Sequence, residues 1–280
     1  MGIDQQSLLA TARHVAGEAA ALVREASTGP GGHRRIDVAT KSSETDVVTS
    51  VDRASEQRIR ELLARLRPGE PMLGEEAATA TGAAPCGEAS VGPDSVTWVV
   101  DPIDGTVNFL YGYPAFAVSV AAQVEGRSVA GAVIEPMTGR CWSATRGGGA
   151  WLDGVRLRVS APARLGVTLL ATGFAYDAAR RQRQARMITS ALGNVRDIRR
   201  SGSAALDLCA VATGWVDAYC EHGLSRWDWA AGALIAEEAG ATLSLPGDDP
   251  RLGADATLAC APSVADEVAE LLVHCGAAEV

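Results

Sequence analysis

The chain has 280 residues, of which 47% are hydrophobic, and its 25 basic and 34 acidic side chains give a formal net charge of −9. A chain of this length can bury a sizeable core, in one large domain or in two closely packed halves. The negative charge repels nucleic acid and anionic membranes, so no direct nucleic-acid partner is expected. The N-terminal residues lack the basic start of a signal peptide, and no apolar run approaches about 18 residues, so we expect a cytoplasmic protein without membrane contact.

Cysteine and histidine usage argues against a zinc site. The six cysteines form no Cys-x-x-Cys pair, and the four histidines show no metal-ligand spacing. These patterns indicate reduced thiols, as in a cytoplasmic protein, and leave oxygen ligands as the candidates for any metal.

Residues 1–159 are predicted to form an α+β half with a large antiparallel sheet. Apolar positions recur at helical spacing over 5–26 and 53–67, with a Gly-, Ser- and Thr-rich loop or hairpin at 27–45 between them. An Asp153-Gly154 pair between apolar flanks indicates a hairpin. The strand-like runs cover 96–101, 115–124, 128–135, 140–145 and 150–159.

Residues 160–280 change rhythm and alternate strands with helices, which predicts an α/β half. We expect the two halves to form one compact structural unit. The strand-like segments are 166–172, 195–199, 215–221, 241–245 and 256–260, and the helix-like segments are 177–192, 203–213, 228–239 and 263–274.

Carboxylates end four of the apolar runs. They are Asp52 after Val47, Glu75 and Glu76 after Met72, Asp101 and Asp104 after Val99, and Asp228 after Trp227. Each alone is more often structural, and Asp228 is expected at the N-cap of the helix that follows it. Together, without histidine or cysteine ligands, they favour a hard cation such as Mg²⁺, which takes carboxylate, carbonyl and water oxygens. Two such ions about 3.5–4 Å apart are a known device for phosphoryl transfer.

Two further features fit a phosphate site. After Asp104, Gly105 permits a turn and Thr106 opens a short helix-like stretch whose free amides could bind phosphate, although an ordinary Asp–Gly turn between strands explains the same residues. Lys41 is the only lysine among 25 basic residues. Either chance or a specific need for an ammonium group explains why this position has a lysine rather than an arginine.

Three motifs in this order resemble the inositol monophosphatase family of magnesium-dependent, lithium-sensitive phosphatases, and its actinobacterial members in particular. They are GEE at 74–76, DPIDGTVNF at 101–109 and WDWAAGALIAEEAGA at 227–241, supported by the blocks at 41–52 and 199–223. The resemblance implies the layered α-β-α-β-α sugar-phosphatase fold shared with fructose-1,6-bisphosphatase. It also implies a homodimer and hydrolysis of inositol 1-phosphate by direct attack of water.

The resemblance implies two to three Mg²⁺ ions per active site, with Li⁺ as an inhibitor at the second position. Glu75, Asp101 and the Ile103 carbonyl would hold the first ion. Asp101, Asp104 and Asp228 would hold the second, and Glu75 would hold a weaker third through waters.

Catalytic and substrate-binding roles follow from the same resemblance. Asp52 and Thr106 would orient and deprotonate the attacking water, with Glu75 contributing through the metal and Lys41 balancing the charge of the acids. The implied contacts to phosphate or to ring hydroxyls are Asp104, Gly105, Thr106, Ser203, Ala204, Glu221 and Asp228. Ser203 replaces a threonine of many relatives, and Ser225 replaces a histidine of animal relatives, which weakens the inference about the ring.

Several alternatives stay open. Fructose 1,6-bisphosphate, a nucleotide 3′-phosphate or histidinol phosphate could be the main substrate of the same metal site. A haloacid-dehalogenase phosphatase is disfavoured because its acids are spaced Asp-x-Asp. A Ser-His-Asp hydrolase would depend on His222 alone. A non-enzymatic role in transcription antitermination complexes, known for some bacterial relatives, is the alternative from another functional class.

Overall fold

A computed structural model describes residues 3–28, 37–40, 47–81 and 95–280 of the chain. Lys41 lies outside these residues, so its predicted role stays a prediction. No helix in the described part of the chain has both the length and the apolar composition that crossing a membrane requires.

The helices of the described residues match the predicted ones, except that the sequence predicted no helix corresponding to α3. Their bounds are α1 Gln5–Thr28, α2 Ser50–Leu66, α3 Glu75–Thr81, α4 Thr106–Tyr111, α5 Ala178–Leu192, α6 Ala204–Thr213, α7 Arg226–Glu238 and α8 Ala265–His274.

Within the described residues the strands form three sheets, of which the antiparallel pair formed by the first two strands is the smallest. Their bounds are β1 Val38–Thr40, β2 Val47–Thr49, β3 Met72–Gly74, β4 Val96–Asp104, β5 Ala117–Val124, β6 Arg127–Ile134, β7 Cys141–Thr145, β8 Gly149–Leu152, β9 Val155–Arg156, β10 Leu169–Thr172, β11 Asp197–Arg199, β12 Ala218–His222, β13 Thr242–Ser244 and β14 Ala256–Cys260.

The large sheet has seven strands in the order β3-β4-β5-β6-β7-β8-β9. Every pair is antiparallel except β3 with β4. The predicted hairpin turn at Asp153-Gly154 joins β8 to β9. Side chains of a strand alternate between the two faces. On β4, Trp98 and Val100 pack with α1 and α2, whereas Val99 belongs to the core on the opposite face.

The second sheet has five strands in the order β11-β10-β12-β14-β13. Strand β10 runs parallel to β11 and β12, and β14 runs antiparallel to β12 and β13. The parallel pairs are joined through helices, as strand–helix alternation in the sequence predicts. The antiparallel β14 makes the sheet mixed.

Three apolar clusters show how the sheets and helices are layered. One lies between α1 with α2 and the large sheet, and another lies on the outer side of the second sheet with α5 and α8. The central cluster lies between the sheets, where Ala205 of α6 and Ala231 of α7 pack with Val99 and Tyr219. The order is therefore α-β-α-β-α, which confirms the predicted fold. The central layer places the start of α7 and the start of α6 beside the end of β4.

Candidate active site

The site is built around the end of β4, where the strand leaves regular pairing. The register of β4 with β5 shifts between Asp101 and Asp104. The Ile103 amide donates to Asp101 Oδ1 at 3.0 Å, and the Ser55 hydroxyl of α2 donates to the Pro102 carbonyl at 3.0 Å. These bonds hold an irregular turn, which lets both acids approach the same space.

Asp104 is fixed by the N-terminus of α6. The Ser203 hydroxyl and the Ala205 amide each donate to Asp104 Oδ2 at 2.6 Å. Ser203 is also the N-cap of α6, since its oxygen accepts from the Leu206 amide at 3.3 Å. Burial raises the pKa of Asp104 to about 6, and the bonds from Ser203, Ala205 and Ala204 oppose that rise.

Asp228 is the third residue of α7, because Ser225 is the N-cap and the helix begins at Arg226. The expectation that Asp228 itself is the N-cap is therefore wrong, although the prediction that Asp228 lies at the start of a helix is confirmed. The Asp228 carboxylate accepts from the Ser225 amide at 2.6 Å, which fixes one of its oxygens at the start of the helix.

Asp101, Asp104 and Asp228 converge although they come from β4 and α7. One carboxylate oxygen of each lies within 4.8 Å of the others. Burial raises the pKa of Asp228 well above its ordinary value, and the negative charges of Asp104 and Glu75 add to the rise. Facing carboxylates repel in a buried site, so this donor set fits a hard cation that would neutralise them.

Glu75 begins α3 directly after β3, and its charge acts on Asp228 across the site. A second acid, Glu56 of α2, holds this helix start. The Glu56 carboxylate accepts from the Glu76 amide at 2.7 Å and from the Ala77 amide at 3.2 Å. Sequence reasoning missed Glu56, because its partners are about one helix and one strand away along the chain and no local motif marks them.

Asp52 and Thr106 form a second part of the site. Asp52 is buried at the third position of α2, where its Oδ2 accepts from the Thr49 amide at 2.9 Å and from the Thr49 hydroxyl. Its Oδ1 lies 2.9 Å from the Thr106 hydroxyl, which is also 3.1 Å from the Ile103 carbonyl oxygen. The Thr106 hydroxyl has one proton, so it donates to one of these acceptors at a time.

Gly105 and Asn108 tie the phosphate-binding candidates to the second half of the chain. Gly105 adopts φ 94°, and a Cβ there would lie 3.1 Å from the carbonyl oxygens of Ala115 and Gly202. The Asn108 amide donates to the carbonyls of Ala115 at 2.6 Å and Ser201 at 2.8 Å. Glycine is thus required both for its backbone angle and for space.

Glu221 of β12 lies on the same side of the second sheet as Tyr219, facing α6 and α7. Burial raises the pKa of Glu221 to about 7, and the charge of Asp104 adds to the rise. Asp207 of α6 is a buried neighbour that sequence reasoning missed. Burial raises its pKa to about 8, with Glu221 and Asp104 adding to the rise. The predicted polyol contact, Glu221, which is half-buried, therefore belongs to a group of acids that includes the buried Asp104 and Asp207.

His222 alternates to the opposite face of β12 from Glu221. It is buried, and its Nε2 lies 2.7 Å from the Leu252 carbonyl oxygen. Burial also lowers its pKa. Its ring therefore points away from the acids, which removes the basis for a Ser-His-Asp hydrolase.

Comparison with known proteins identifies the family. The sequence profile described as "Inositol monophosphatase family" matches residues 4–277. The chain belongs to the inositol monophosphatase family. It is a phosphatase of a family that is metal-dependent in general. The cluster of Asp101, Asp104 and Asp228 is a group that could hold a metal ion.

Relatives and solved structures agree with the profile. The inositol-1-monophosphatase of Mycobacterium leprae (strain TN) is 50% identical over 273 residues, which cover 94% of this chain and 92% of the relative. A solved structure of Mycobacterium tuberculosis SuhB has a TM-score of 0.81 and 40% identity, covering 99% of this chain and 100% of its own. The "Nus factor SuhB" of Pasteurella multocida (strain Pm70) is 39% identical over 88% of this chain and 90% of its own length.

Proposed function

We propose that this inositol monophosphatase family member is a Mg²⁺-dependent phosphomonoesterase that hydrolyses inositol 1-phosphate to inositol and phosphate. The observation that carries the proposal is the convergence of Asp101, Asp104 and Asp228 within 4.8 Å, beside the hydrogen-bonded pair of Asp52 and Thr106. The first group can hold a cation, and the second can handle the proton of a water molecule.

The proposed metal ligands are Glu75, Asp101, the Ile103 carbonyl, Asp104 and Asp228. These residues would hold Mg²⁺, which would supply positive charge to the phosphate and to the leaving oxygen and would lower the pKa of water. The protein contributes fixed positions, because the end of β4, the start of α3 and the start of α7 are each held by a hydrogen bond from a backbone amide to a carboxylate. Li⁺ would compete for the second position with half the charge.

The pair of Asp52 and Thr106 would orient and deprotonate the attacking water. When the Thr106 hydroxyl donates to Asp52 Oδ1, its oxygen lone pairs accept a hydrogen bond from water. As water attacks phosphorus, its proton passes to the Thr106 oxygen while the Thr106 proton passes to Asp52. The bond from phosphorus to the ester oxygen breaks in the same displacement. The ester oxygen leaves as an alkoxide and takes a proton from solvent water to give inositol, and Asp52 returns its proton to solvent. Such general-base assistance is typically worth about 10²–10⁴-fold.

The remaining residues would bind the substrate. The amides of Gly105 and Thr106 are proposed to hold the phosphate. The polyol hydroxyls are proposed to meet Asp104, Ser203, Ala204, Glu221 and Asp228. We propose inositol 1-phosphate as the main substrate, rather than fructose 1,6-bisphosphate, a nucleotide 3′-phosphate or histidinol phosphate, because the 50% identical relative is named an inositol-1-monophosphatase.

We also propose a cytoplasmic homodimer in which residues 1–159 and 160–280 of each chain form one unfolding unit. The central core supports a single unit, because Val99 and Ala121 from the first half pack in the same cluster as Leu208 and Ala231 from the second. A role in transcription complexes is the alternative from another class, motivated by the relative named as a Nus factor.

The decisive experiment measures phosphate release from inositol 1-phosphate, fructose 1,6-bisphosphate and 3′-phosphoadenosine 5′-phosphate, with and without Mg²⁺. It uses wild type and Asp101→Asn. The proposal expects inositol 1-phosphate to lead and both magnesium removal and the substitution to abolish turnover. If another phosphate ester is hydrolysed fastest, the proposed substrate is wrong but the proposed metal site stands. If Asp101→Asn keeps full activity, the proposed metal site is wrong.

A further inference from the structure

The Glu221 carboxylate is held by a neighbour on its own strand. The Tyr219 hydroxyl donates to Glu221 Oε2 at 2.7 Å. Tyr219 is fully buried, and its ring packs in the central core between the two sheets. Residues two apart on a strand share a face, so this bond is built into the geometry of β12. It occupies one carboxylate oxygen and leaves Oε1 for another donor.

The space that Glu221 fills exists because residue 173 is glycine. Gly173 follows β10, the strand that pairs with β12. A Cβ at Gly173 would lie 1.8 Å from Glu221 Oε2 and 2.1 Å from its carboxyl carbon. Gly173 is not among the glycines with positive φ, so alanine is compatible with its backbone. The glycine is needed here for volume, and an added methyl group would displace the carboxylate.

Electrostatics explains why Glu221 needs to be held. The negative charge of Asp104 acts on Glu221. Repulsion from that carboxylate favours rotation of Glu221 away from it. The hydrogen bond from Tyr219 opposes that rotation, since bonds to charged groups are stronger than neutral ones.

We propose that Tyr219 and Gly173 are positioning residues that fix the Glu221 carboxylate and so determine selectivity for phosphate esters of polyols. This inference rests on the proposed function, in which Glu221 binds a ring hydroxyl. A site that hydrogen-bonds a substrate hydroxyl discriminates strongly against esters that lack it, but only while its own polar group stays in place. Tyr219 and Gly173 touch Glu221 and not the substrate, so they act through it.

The test uses Tyr219→Phe, which removes the donor, and Gly173→Ala, which displaces the carboxylate. Each variant is assayed with inositol 1-phosphate and with p-nitrophenyl phosphate, whose leaving group has no aliphatic hydroxyls. The quantity compared is the ratio of the two kcat/KM values. We expect the ratio to fall about tenfold or more in both variants, as for the loss of one hydrogen bond to a charged group, mainly through a higher KM for inositol 1-phosphate.

Three controls separate positioning from general damage. Thr213→Val removes the hydrogen bond that Trp142 Nε1 donates over 2.9 Å, within the same core but away from Glu221. Gly193→Ala adds a methyl group where nothing lies within 4 Å. Both should keep the wild-type ratio. In the Glu221→Ala background, which has no acceptor at position 221, Tyr219→Phe should cause little further loss, because residues that act through one another are not additive.

Different results would contradict the positioning role of Tyr219 and Gly173 and the proposed hydrolysis of inositol 1-phosphate. Unchanged ratios in Tyr219→Phe and Gly173→Ala, or full additivity of Tyr219→Phe with Glu221→Ala, would overturn the inference even if wild type hydrolyses inositol 1-phosphate. No magnesium-dependent turnover of inositol 1-phosphate by wild type would overturn the proposed function instead. If another polyol phosphate leads, the ratio is measured with that ester. If Tyr219→Phe does not fold, Gly173→Ala decides, since only the end of a flexible side chain must move.

Discussion

Asp52 and Asp228 occupy equivalent positions at the starts of two different helices. Each is the third residue of its helix. The carboxylate of each accepts a hydrogen bond from the backbone amide of the N-cap residue, which is Thr49 in α2 and Ser225 in α7. In both cases a local capping interaction fixes the carboxylate at the edge of the site. The other neighbours of the two carboxylates differ.

The second oxygen of Asp52 meets a hydroxyl donor, Thr106, whereas the Asp228 carboxylate lies beside the acids Asp101 and Asp104. A carboxylate supplied with donors is stable as an anion and available as a proton acceptor. A carboxylate that faces other carboxylates requires either protons or a cation. The comparison shows that the same local motif delivers an acid to the site, while contacts across the fold decide between proton transfer and metal binding.

The largest effect is expected from Asp228→Asn. Removing one charge from the cluster should weaken Mg²⁺ binding and lower kcat/KM for inositol 1-phosphate by about 10³-fold or more, since loss of a single preorganised electrostatic contact already costs about 10²–10³-fold. The rise in melting temperature that Mg²⁺ causes should shrink or disappear. Thermal melts with and without Mg²⁺, read beside steady-state kinetics, check both parts. A melting temperature that responds to Mg²⁺ as in wild type would remove Asp228 from the metal site.

Asp52→Asn should show the complementary behaviour. It keeps the shape of the capping residue but abolishes the proton acceptor, so kcat should fall by about 10²-fold. The Mg²⁺-dependent rise in melting temperature should persist, because Asp52 is not among the three clustered carboxylates. The same two measurements apply. If Asp52→Asn loses both the Mg²⁺-dependent rise in melting temperature and activity, Asp52 and Asp228 share one role in metal binding.

Buried acids that face other acids should also make the metal-free protein less stable as pH rises. Asp207 has an ordinary pKa of 3.8 and a pKa of about 8 in the folded protein, chiefly because of burial. The folded state keeps its proton while the unfolded chain loses it. This contribution to stability is therefore fully present below the lower value and is lost as pH rises toward the higher one.

Asp207→Asn cannot ionise, so its melting temperature relative to wild type should be higher at about pH 9 than at about pH 5, by several degrees, when EDTA is present. Asp197→Asn is the matched control. Asp197 is exposed, and the Arg199 hydrogen bond lowers its pKa, so its contribution is constant between those two pH values. A relative melting temperature of Asp207→Asn that does not change with pH would show that Asp207 is ionised in the folded state.

The sequence predicted the periodic elements of this fold and the acids at their ends, because both are local properties. The helix predicted over 177–192 is α5, Ala178–Leu192, and the strand predicted over 256–260 is β14. The clustering of Asp101, Asp104 and Asp228 was reached through motif resemblance. Their convergence depends on α7 packing between the sheets, which no local pattern encodes.

The residues that sequence reasoning missed share one physical property, which is that their partners are distant in the chain. Glu56 caps α3 about twenty residues later, and Asn108 bonds the Ser201 carbonyl of the other half. Asp207 sits within a helix pattern and shows its role only beside Glu221. The exact start of α7 was also misplaced, because Ser225 and Asp228 are both good capping residues and the sequence alone does not decide between them.

The smallest expected effect separates capping from catalysis in Asp52. Thr49→Val removes the hydroxyl that caps α2 and donates to Asp52, so it should cost about 1 kcal/mol of stability and lower kcat severalfold. Asp177→Ala is the control, because Asp177 caps α5 through the Arg180 amide at 2.7 Å, away from the acids. It should cost similar stability with kcat unchanged. Denaturant unfolding and kcat are measured for both variants. If the kcat of Thr49→Val equals that of Asp177→Ala, Thr49 only caps the helix.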